Sequence, residues 1–540
     1  MGGQYWNSDG FGMITRAIFF LGLWCSVSAA QNWPQGAGPH GNWTTKAENP
    51  PTSFSVTTGE NVLWRTPLPE SGQGSVVAWG DRLFVTSNRP WEQGAKSPAG
   101  QKRSGPMGTD VIGYCLDARS GKVLWDVTLK GTRLKLYAGP FSDSTAPSPI
   151  TDGEHVWFYN VSGMIGCYDF DGNEVWTHTW TPRGIMANRQ FEPMLVRDVI
   201  LNVEVLDKST VLDRVGLVDN DMVAKVKAGK AHRGCFTFIH AYDKRTGKLK
   251  WVSDAATSTH SASCLGTTAS GEWALLHGRG GGHHPIETPQ GLSLTSLAPG
   301  REGETLWNYE LKTGSEYTHQ WNSRFVTWWV GNHHVVIDAA TGEELRRQPL
   351  HTDVSIHTYD PVKAAYIRND SASIQLNKKV TTHYSNLLVD AHHYFRTFSP
   401  FMIGRVHLES GDTEYLQVPV SVDRRSGNEV FGWKGSGPKN DTCNSRGIDV
   451  GVADKRSKGN GWGHISAAPP TLVGTVLYVP TMIGTTYVID TTAKALDETA
   501  LVSVSDLGPP GQTWTLSSFS YANDRLYHRT MKEVVCIAAR

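Results

Sequence analysis

YCLDARSGKVLW (Tyr114–Trp125) and HAYDKRTGKLKW (His240–Trp251) follow one plan: an apolar strand, an Asp, a turn closed by Thr or Ser and Gly, and a second strand ending in Trp. An Asp that can hydrogen-bond the following backbone, and a Gly that tolerates positive φ, are the residues a tight β-turn requires. The runs on either side are rich in Val, Leu and Tyr and short enough for strands. Each copy therefore reads as a β-hairpin.

The same plan returns along the chain: CYDFDGNEVW (Cys167–Trp176), REGETLW (Arg301–Trp307), VVIDAATGEELR (Val335–Arg346), RVHLESGDTEYL (Arg405–Leu416) and TYVIDTTAKALDE (Thr486–Glu498). The last strand, VVCIAAR (Val534–Arg540), has no partner after it. NVLWRTPL (Asn61–Leu68) has the Trp and no Asp-turn before it. Joined, the two make an eighth copy. A second two-strand pattern precedes the hairpins, as in SVVAWGDRLFV (Ser75–Val85), SPITDGEHVWFY (Ser148–Tyr159) and PTLVGTVLYV (Pro470–Val479). Four strands per unit, repeated around a ring, is the pattern of a β-propeller, and a split unit closes the ring without leaving a sheet edge. The expectation is an all-β chain with one propeller domain over residues 31–540. It has eight blades, with seven as the alternative because Thr313–Leu416 is weakly punctuated. Long insertions fall at Glu204–Gly234, Gly278–Gly300, His351–Thr382 and Val422–Gly461, and the last could act as a lid over one face.

Composition limits function. The chain has 540 residues, 51 Lys and Arg against 51 Asp and Glu, hence no net charge. Nucleic-acid binding asks for a basic excess, so that class is set aside. Trp is abundant, 20 residues or one in 27, and at least five of these stand at repeat positions. Residues 1–30 read as an export signal with Met13 as its expected start. Arg16 precedes an apolar run, Ala17–Trp24, and Ser28-Ala29-Ala30 is a small-residue cleavage site. That run is too short to span a membrane, which takes about 20 residues. The mature chain then begins at Gln31, is exported to the periplasm or beyond, and is expected to be monomeric. The cysteines form no C-x-x-C and no adjacent pair, and Cys115, Cys167 and Cys536 sit in apolar strands as small buried residues.

The pattern A/L-x-D-x-x-T/S-G-x-x-x-W, clearest at Leu116–Trp125 and Ala241–Trp251, resembles that of the pyrroloquinoline-quinone-like (PQQ-like) propeller repeat family. The opening QNWPQGAGPHGNW (Gln31–Trp43) resembles the start of its exported bacterial members. The resemblance implies that the Trp side chains dock between neighbouring blades. It also implies two functional classes. Quinone dehydrogenases hold the quinone, a calcium ion and an Asp base on the propeller axis, and adjacent cysteines stack on the quinone. That cysteine pair is missing here, so quinone chemistry is not the leading expectation. Other members are envelope scaffolds and binding proteins, and no catalytic motif such as G-x-S-x-G, a Walker loop or H-E-x-x-H stands against that reading. The leading expectation is a non-catalytic binding or scaffold protein that takes a small polar ligand or an envelope protein partner. The alternative is a metal- or quinone-dependent oxidoreductase.

One set of residues points to chemistry on the axis. Four successive blades offer a His just ahead of the first strand: His260, His319, His383 and His464. If their rings converge at the channel mouth they could hold a transition metal such as Zn, Cu or Fe. Asp143, Glu192, Trp321, Tyr384 and Trp514 stand at similar places and are candidates for lining a ligand channel. Against this stands an ordinary structural use of histidine. His333-His334 and His392-His393 read as strand or turn surface residues, and Trp328-Trp329 as either core or ligand platform.

Overall fold

The computed structural model describes residues 1–2, 31–90, 110–132, 145–180, 192–207, 235–253, 263–279, 290–311, 318–375, 381–397, 401–433, 442 and 468–539. They form an eight-bladed β-propeller, and the described residues contain no helix. Each blade is a four-stranded antiparallel sheet with its first strand innermost. From first to fourth strand the blades run Val77–Trp79 to Val123–Leu129, Ile150–Thr151 to Glu174–Thr179, Met194–Val196 to Leu249–Ser253 and Cys264–Thr267 to Thr305–Glu310. Blades 5 to 7 run Gln320–Trp321 to Glu344–Pro349, Thr381–Val389 to Thr413–Gln417 and Thr471–Val473 to Leu501–Asp506. Blade 8 takes Ser520–Ala522, Arg525–Arg529 and Glu533–Ile537 from the end of the chain and Val62–Pro67 from its beginning as outermost strand. The joined eighth copy is therefore present, and the count is eight.

The hairpin chemistry is the one read from the repeat. Asp243 Oδ1 accepts from the backbone N–H groups of Arg245 and Thr246 at 3.1 and 2.9 Å, and Asp117 and Asp338 do the same in their turns. Strands between neighbours on both sides are buried almost throughout, as in Val111–Asp117, whereas the outermost alternate, as in Val123–Leu129. A register shift between the third and fourth strands precedes the repeat Trp in blade after blade. Such a bulge re-aims the side chain that follows it.

The Trp docks on the turn of the next blade. Trp125 Nε1 donates to Phe170 O at 2.9 Å, Trp176 Nε1 to Lys244 O at 3.0 Å and Trp307 Nε1 to Ala339 O at 3.0 Å. In each case the acceptor is the residue after the turn Asp. The indole face lies on the turn glycine: a Cβ on Gly247 would stand 2.6 Å from Trp176 Cε3. Blade 5 carries Arg346 in place of the Trp, and its guanidinium donates to Glu409 O and His407 O of blade 6. The Trp excess is thus a staple between blades: a large apolar side chain with one N–H to satisfy.

Two parts of the chain lie outside the repeat. The insertion His351–Thr382 forms a hairpin, Val354–Asp360 with Ala365–Ala372, that joins the outer edge of blade 6 by parallel pairing. Tyr359 of this hairpin stacks on Trp433, rings 4.0 Å apart, next to a small hairpin of Ser421–Asp423 and Val430–Gly432. That small hairpin is held to blade 7 by Arg424, whose Nη1 meets Asp506 Oδ2 at 2.7 Å. The rest of the expected lid and Cys443 lie outside the described residues.

The second part is the N-terminal segment. Trp33 bridges Ala78 of blade 1 and Gln35 bridges Ile150 of blade 2. Gln35 Oε1 accepts from Leu195 N of blade 3 at 2.9 Å, and Gly41 O from Leu265 N of blade 4 at 3.1 Å. Thr44–Thr45 then pairs in parallel with Leu472 and Val473 of blade 7. All five are innermost strands, so residues 33–45 form a strap along the axis. Trp33 and Trp43 on it are buried to within 1%.

Candidate functional site

The sheet register defines one level around the axis. In blades 1 to 8 the innermost residues in the row that ends on the repeat Trp position are Val77, Ile150, Met194, Cys264, Gln320, Leu387, Thr471 and Ser520. Two residues ahead of each stand Ser75, Ser148, Glu192, Thr318, Ser385, Pro469 and Ser518, all buried, and in blade 4 Ala262, which lies outside the described residues. Five of these eight are hydroxyl residues. A residue two positions away on a strand faces the same way, so they form a ring of short polar side chains. The strap contacts the same strands one residue further along, at Ala78, Thr151, Leu195, Leu265 and Leu472, so it lies immediately below this ring. There Gly36 comes so close that a Cβ would stand 2.5 Å from Ser148 Oγ and 2.7 Å from Glu192 Oε2.

The ring has two unlike arcs. Through blades 8, 1, 2 and 3 it is closed: Ser518 N donates to Ser75 Oγ at 3.1 Å, Ser75 N to Ser148 Oγ at 2.9 Å and Ser148 N to Glu192 Oε2 at 3.0 Å. Ser518 Oγ donates to Pro469 O of blade 7 at 2.9 Å. In blades 5 and 6 the side-chain oxygens of Thr318 and Ser385 are fully buried and have no hydrogen-bond partner among the described residues. The same holds for Gln320 Nε2, which faces the same way two residues beyond Thr318. A buried hydroxyl or amide without a partner costs about 1–3 kcal/mol, and such groups in a folded protein call for an explanation.

The candidates from sequence fall around this ring. Glu192 is a ring member, with Oε2 engaged by Ser148 N. His319 follows Thr318 and is fully buried, its ring 4.5 Å from that of Trp328. Burial, with nearby His277, holds its pKa well below the usual histidine range. Tyr384 precedes Ser385 and is fully buried. Trp321 donates from Nε1 to Cys264 O at 3.0 Å, tying blade 5 to blade 4. Trp514 packs with Met482, Leu516 and Met531. Asp143, His260 and His464 lie outside the described residues, as does the side chain of His383. In sequence the four histidines do not share one offset from the ring positions: His260 and His383 stand two ahead, His319 one after and His464 five ahead. Among the described residues, no three of His, Cys, Asp and Glu are grouped as a metal site.

Two readings of histidine pairs change. His334 and His393 are not surface residues but fully buried, and His334 Nε2 meets His393 Nδ1 at 2.9 Å. His393 Nε2 lies 3.1 Å from Asn386 Oδ1. Adjacent strand residues face opposite sides, so one of each pair must enter the interface between blades 5 and 6. Burial keeps both neutral, His334 with its pKa pulled down to about 3 and His393 well below the usual range. Trp328 and Trp329 are both core, the second with its ring 4.6 Å from His393. Cys115, Cys167, Cys264 and Cys536 are free and buried, and burial pushes the thiol of Cys264 up to about 12.

What sequence reasoning missed is the ring itself. The signal is present, a Ser, Thr or Glu two residues ahead of nearly every first-strand core position, but the histidines nearby are chemically louder.

Comparison with known proteins gives the fold a context. The family model described as "Outer membrane protein assembly factor BamB" matches residues 52–215 and 108–291. Among solved structures, the quinohemoprotein alcohol dehydrogenase from Comamonas testosteroni has a TM-score of 0.51 at 10% identity, covering 94% of this chain and 81% of that one. A europium-containing methanol dehydrogenase has a TM-score of 0.48 at 10% identity, covering 94% and 98%. BamB from Moraxella catarrhalis has 0.33 at 12% identity, covering 91% and 99%. At these identities the likeness is one of fold, carried by the first of the three. A comparison with curated proteins found no match.

Proposed function

We propose that this chain, a PQQ-like β-propeller by its repeat and its fold, is an exported binding or scaffold protein of the periplasm or cell envelope, without catalysis of its own. One observation carries the reading. The part of the axial ring left open by the protein's own hydrogen bonds, in blades 5 and 6, is built of Thr318, Ser385 and the amide of Gln320. Hydroxyls and amides hold and orient a ligand, but near neutral pH they do not trade protons as a poised acid or base does. The carboxylate of the ring, Glu192, sits in the closed arc and accepts from Ser148 N. The strap along blades 1 to 4 and 7 supports entry from the ring's other side.

The fold family raises the quinone as an alternative. Its polar acceptor groups suit the open arc, so Thr318, Ser385 and Gln320 are the residues that would hold it, and redox chemistry is what it would supply. The cysteines described are single, buried and set in separate strands, which does not reproduce a stacked thiol pair. The test is to incubate the purified mature chain with pyrroloquinoline quinone and calcium and follow dye reduction with primary alcohols, alongside fractionation of expressing cells. We expect no turnover and recovery in the envelope fraction. Turnover dependent on the quinone would overturn the non-catalytic reading, and retention in the cytoplasm would overturn the exported one.

A further inference from the structure

We propose that the seam between blades 5 and 6 is a proton-operated latch: with His334 and His393 neutral it holds the ring shut, and when acid charges them the ring opens at this one seam. The inference goes beyond the binding reading and does not depend on it.

The first argument is placement, since the seam is polar at every depth. At the axis stand Thr318, Gln320 and Ser385, whose side-chain groups lack partners among the described residues. At mid-depth His334 Nε2 of blade 5 meets His393 Nδ1 of blade 6 at 2.9 Å, with the ring of Trp329 4.6 Å from that of His393. At the rim Arg346 replaces the repeat Trp and donates to Glu409 O at 2.7 Å and His407 O at 3.2 Å. Trp125, Trp176 and Trp307 instead give the seams they close an indole bond and a large apolar face. The strap pairs its backbone with blades 1 to 4 and 7, and among the described residues with neither blade of this seam. Nothing along the axis therefore ties blade 5 to blade 6 as it ties blades 1 to 4.

The second argument is the direction of the hydrogen-bond chain. Asn386 Oδ1 can only accept, so His393 Nε2, 3.1 Å away, carries its ring's proton. In a neutral His393 the other nitrogen, Nδ1, is then bare and accepts from His334 Nε2–H. His334 Nδ1 is left bare as well, buried and without a partner among the described residues. The chain thus holds one proton on each ring. A further proton at His334 Nδ1 places a cation in the buried seam. A further proton at His393 Nδ1 sets two N–H groups against each other across the bond that joins the blades.

The third argument is the lack of compensation. Arg346, on the fourth strand of blade 5, opposes charge on His334, and each imidazole opposes charge on the other. Among the described residues no carboxylate acts on either ring. Asp412 of blade 6 acts on Arg346 instead, and His407 and Glu409 meet that guanidinium through backbone carbonyls. His333 and His392, next in sequence to the pair, face the other side of their strands. A buried charge without a counter-charge is costly, and opening the seam lets water solvate it. The folded pKa of His334 is pulled down to about 3 and that of His393 lies well below the usual range. The open seam therefore binds protons that the closed one refuses, and acid favours opening. Near pH 5 each histidine shifts the balance toward the open seam by a factor of about 30, and the two together by about a thousand.

Hydrogen exchange of the full chain, read by mass spectrometry at about pH 7.5 and pH 5 and corrected for the intrinsic rate, tests the latch. Protection in Phe325–Val330, His333–Asp338 and His392–Thr397 is expected to fall about a thousandfold, while Val111–Asp117 and Met164–Asp169 of blades 1 and 2 stay protected. His334→Gln keeps a donor toward His393 and takes up no proton, so in this variant the fall at the seam should shrink to about thirtyfold. Unchanged protection at the seam at pH 5 overturns the proposal. Loss in all blades together also overturns it, because acid would then be unfolding the ring as a whole. Both of these are read on the wild type and need no variant to fold. A fall in His334→Gln equal to that of the wild type overturns it too.

Discussion

The interblade staple makes a quantitative prediction through Gly247 and Gly271. Both glycines have left-handed φ, +68° and +82°. Alanine at either site meets the same backbone penalty, about 1–2 kcal/mol. They differ in surroundings. A Cβ at Gly271 would meet nothing within 4 Å, whereas at Gly247 it would stand 2.6 Å from Trp176 Cε3 and 2.7 Å from Cδ2. Carbon atoms in contact prefer about 3.5–4.0 Å, so the indole must withdraw by about 1 Å. Forced displacement of a packed side chain costs about 1–3 kcal/mol. The 3.0 Å bond from Trp176 Nε1 to Lys244 O is broken by the same movement, for about another 1 kcal/mol. Gly271→Ala should therefore cost about 1–2 kcal/mol and Gly247→Ala about 3–6 kcal/mol in urea unfolding followed by Trp fluorescence. In a Trp176→Ala background the extra cost of Gly247→Ala should vanish, leaving a coupling of about 2 kcal/mol or more in the double-mutant cycle. Equal costs at the two glycines, or no coupling to Trp176, would refute the docking account.

Three further outcomes are expected. Trp33→Ala, on the strap, should lose about 3–5 kcal/mol because the side chain is wholly buried and large-to-small changes in a core cost that much; a loss under about 1 kcal/mol in the same urea assay would mean the strap is dispensable. Asp506→Ala should lose about 3–5 kcal/mol, since its carboxylate pairs with Arg424 at 2.7 Å and accepts from Thr57 N at 3.0 Å, and limited proteolysis should then cut the Ser421–Gly432 hairpin first. Acid should destabilise the fold above the range where carboxylates titrate. His319, His334 and His393 have folded pKa values below the unfolded value, so the unfolded chain takes up protons first and stability is lost as pH falls through about 6.5. Between pH 7 and 5 each contributes about 2 kcal/mol. His319→Asn should flatten that slope by about one proton, and an unchanged slope would contradict it.

The ring of blades was legible because its determinants are local. Asp243, Gly247 and Trp251 specify a turn and a staple within nine residues, and the same grammar recurs until the termini meet as one blade. The axial site was less legible because its members are chemically quiet. Thr318 and Ser385 are ordinary residues whose meaning lies in a shared register across more than 60 positions, and register is fixed by pairing rather than by spacing. His319 draws notice by residue type yet is a neutral core side chain beside Trp328. The pairs His333-His334 and His392-His393 mislead because strand alternation sends one of each inward, and only tertiary pairing says what it meets there.

The strap and the borrowed strand of blade 8 have a consequence for the order of assembly. Thr44 pairs with Leu472, and Trp64 with Cys536, so segments near the start of the chain find their places only when its far end exists. Contacts at such separation slow folding because the intervening chain must be closed into a loop first. While blades 1 to 6 form, residues 43–67 have no blade 7 or blade 8 to rest on, and they carry Trp43, Phe54 and Trp64. The polypeptide thus holds part of its clasp open until blades 7 and 8 exist, and a chain cut short before Ser520 leaves Val62–Pro67 without Glu533–Ile537 to pair with.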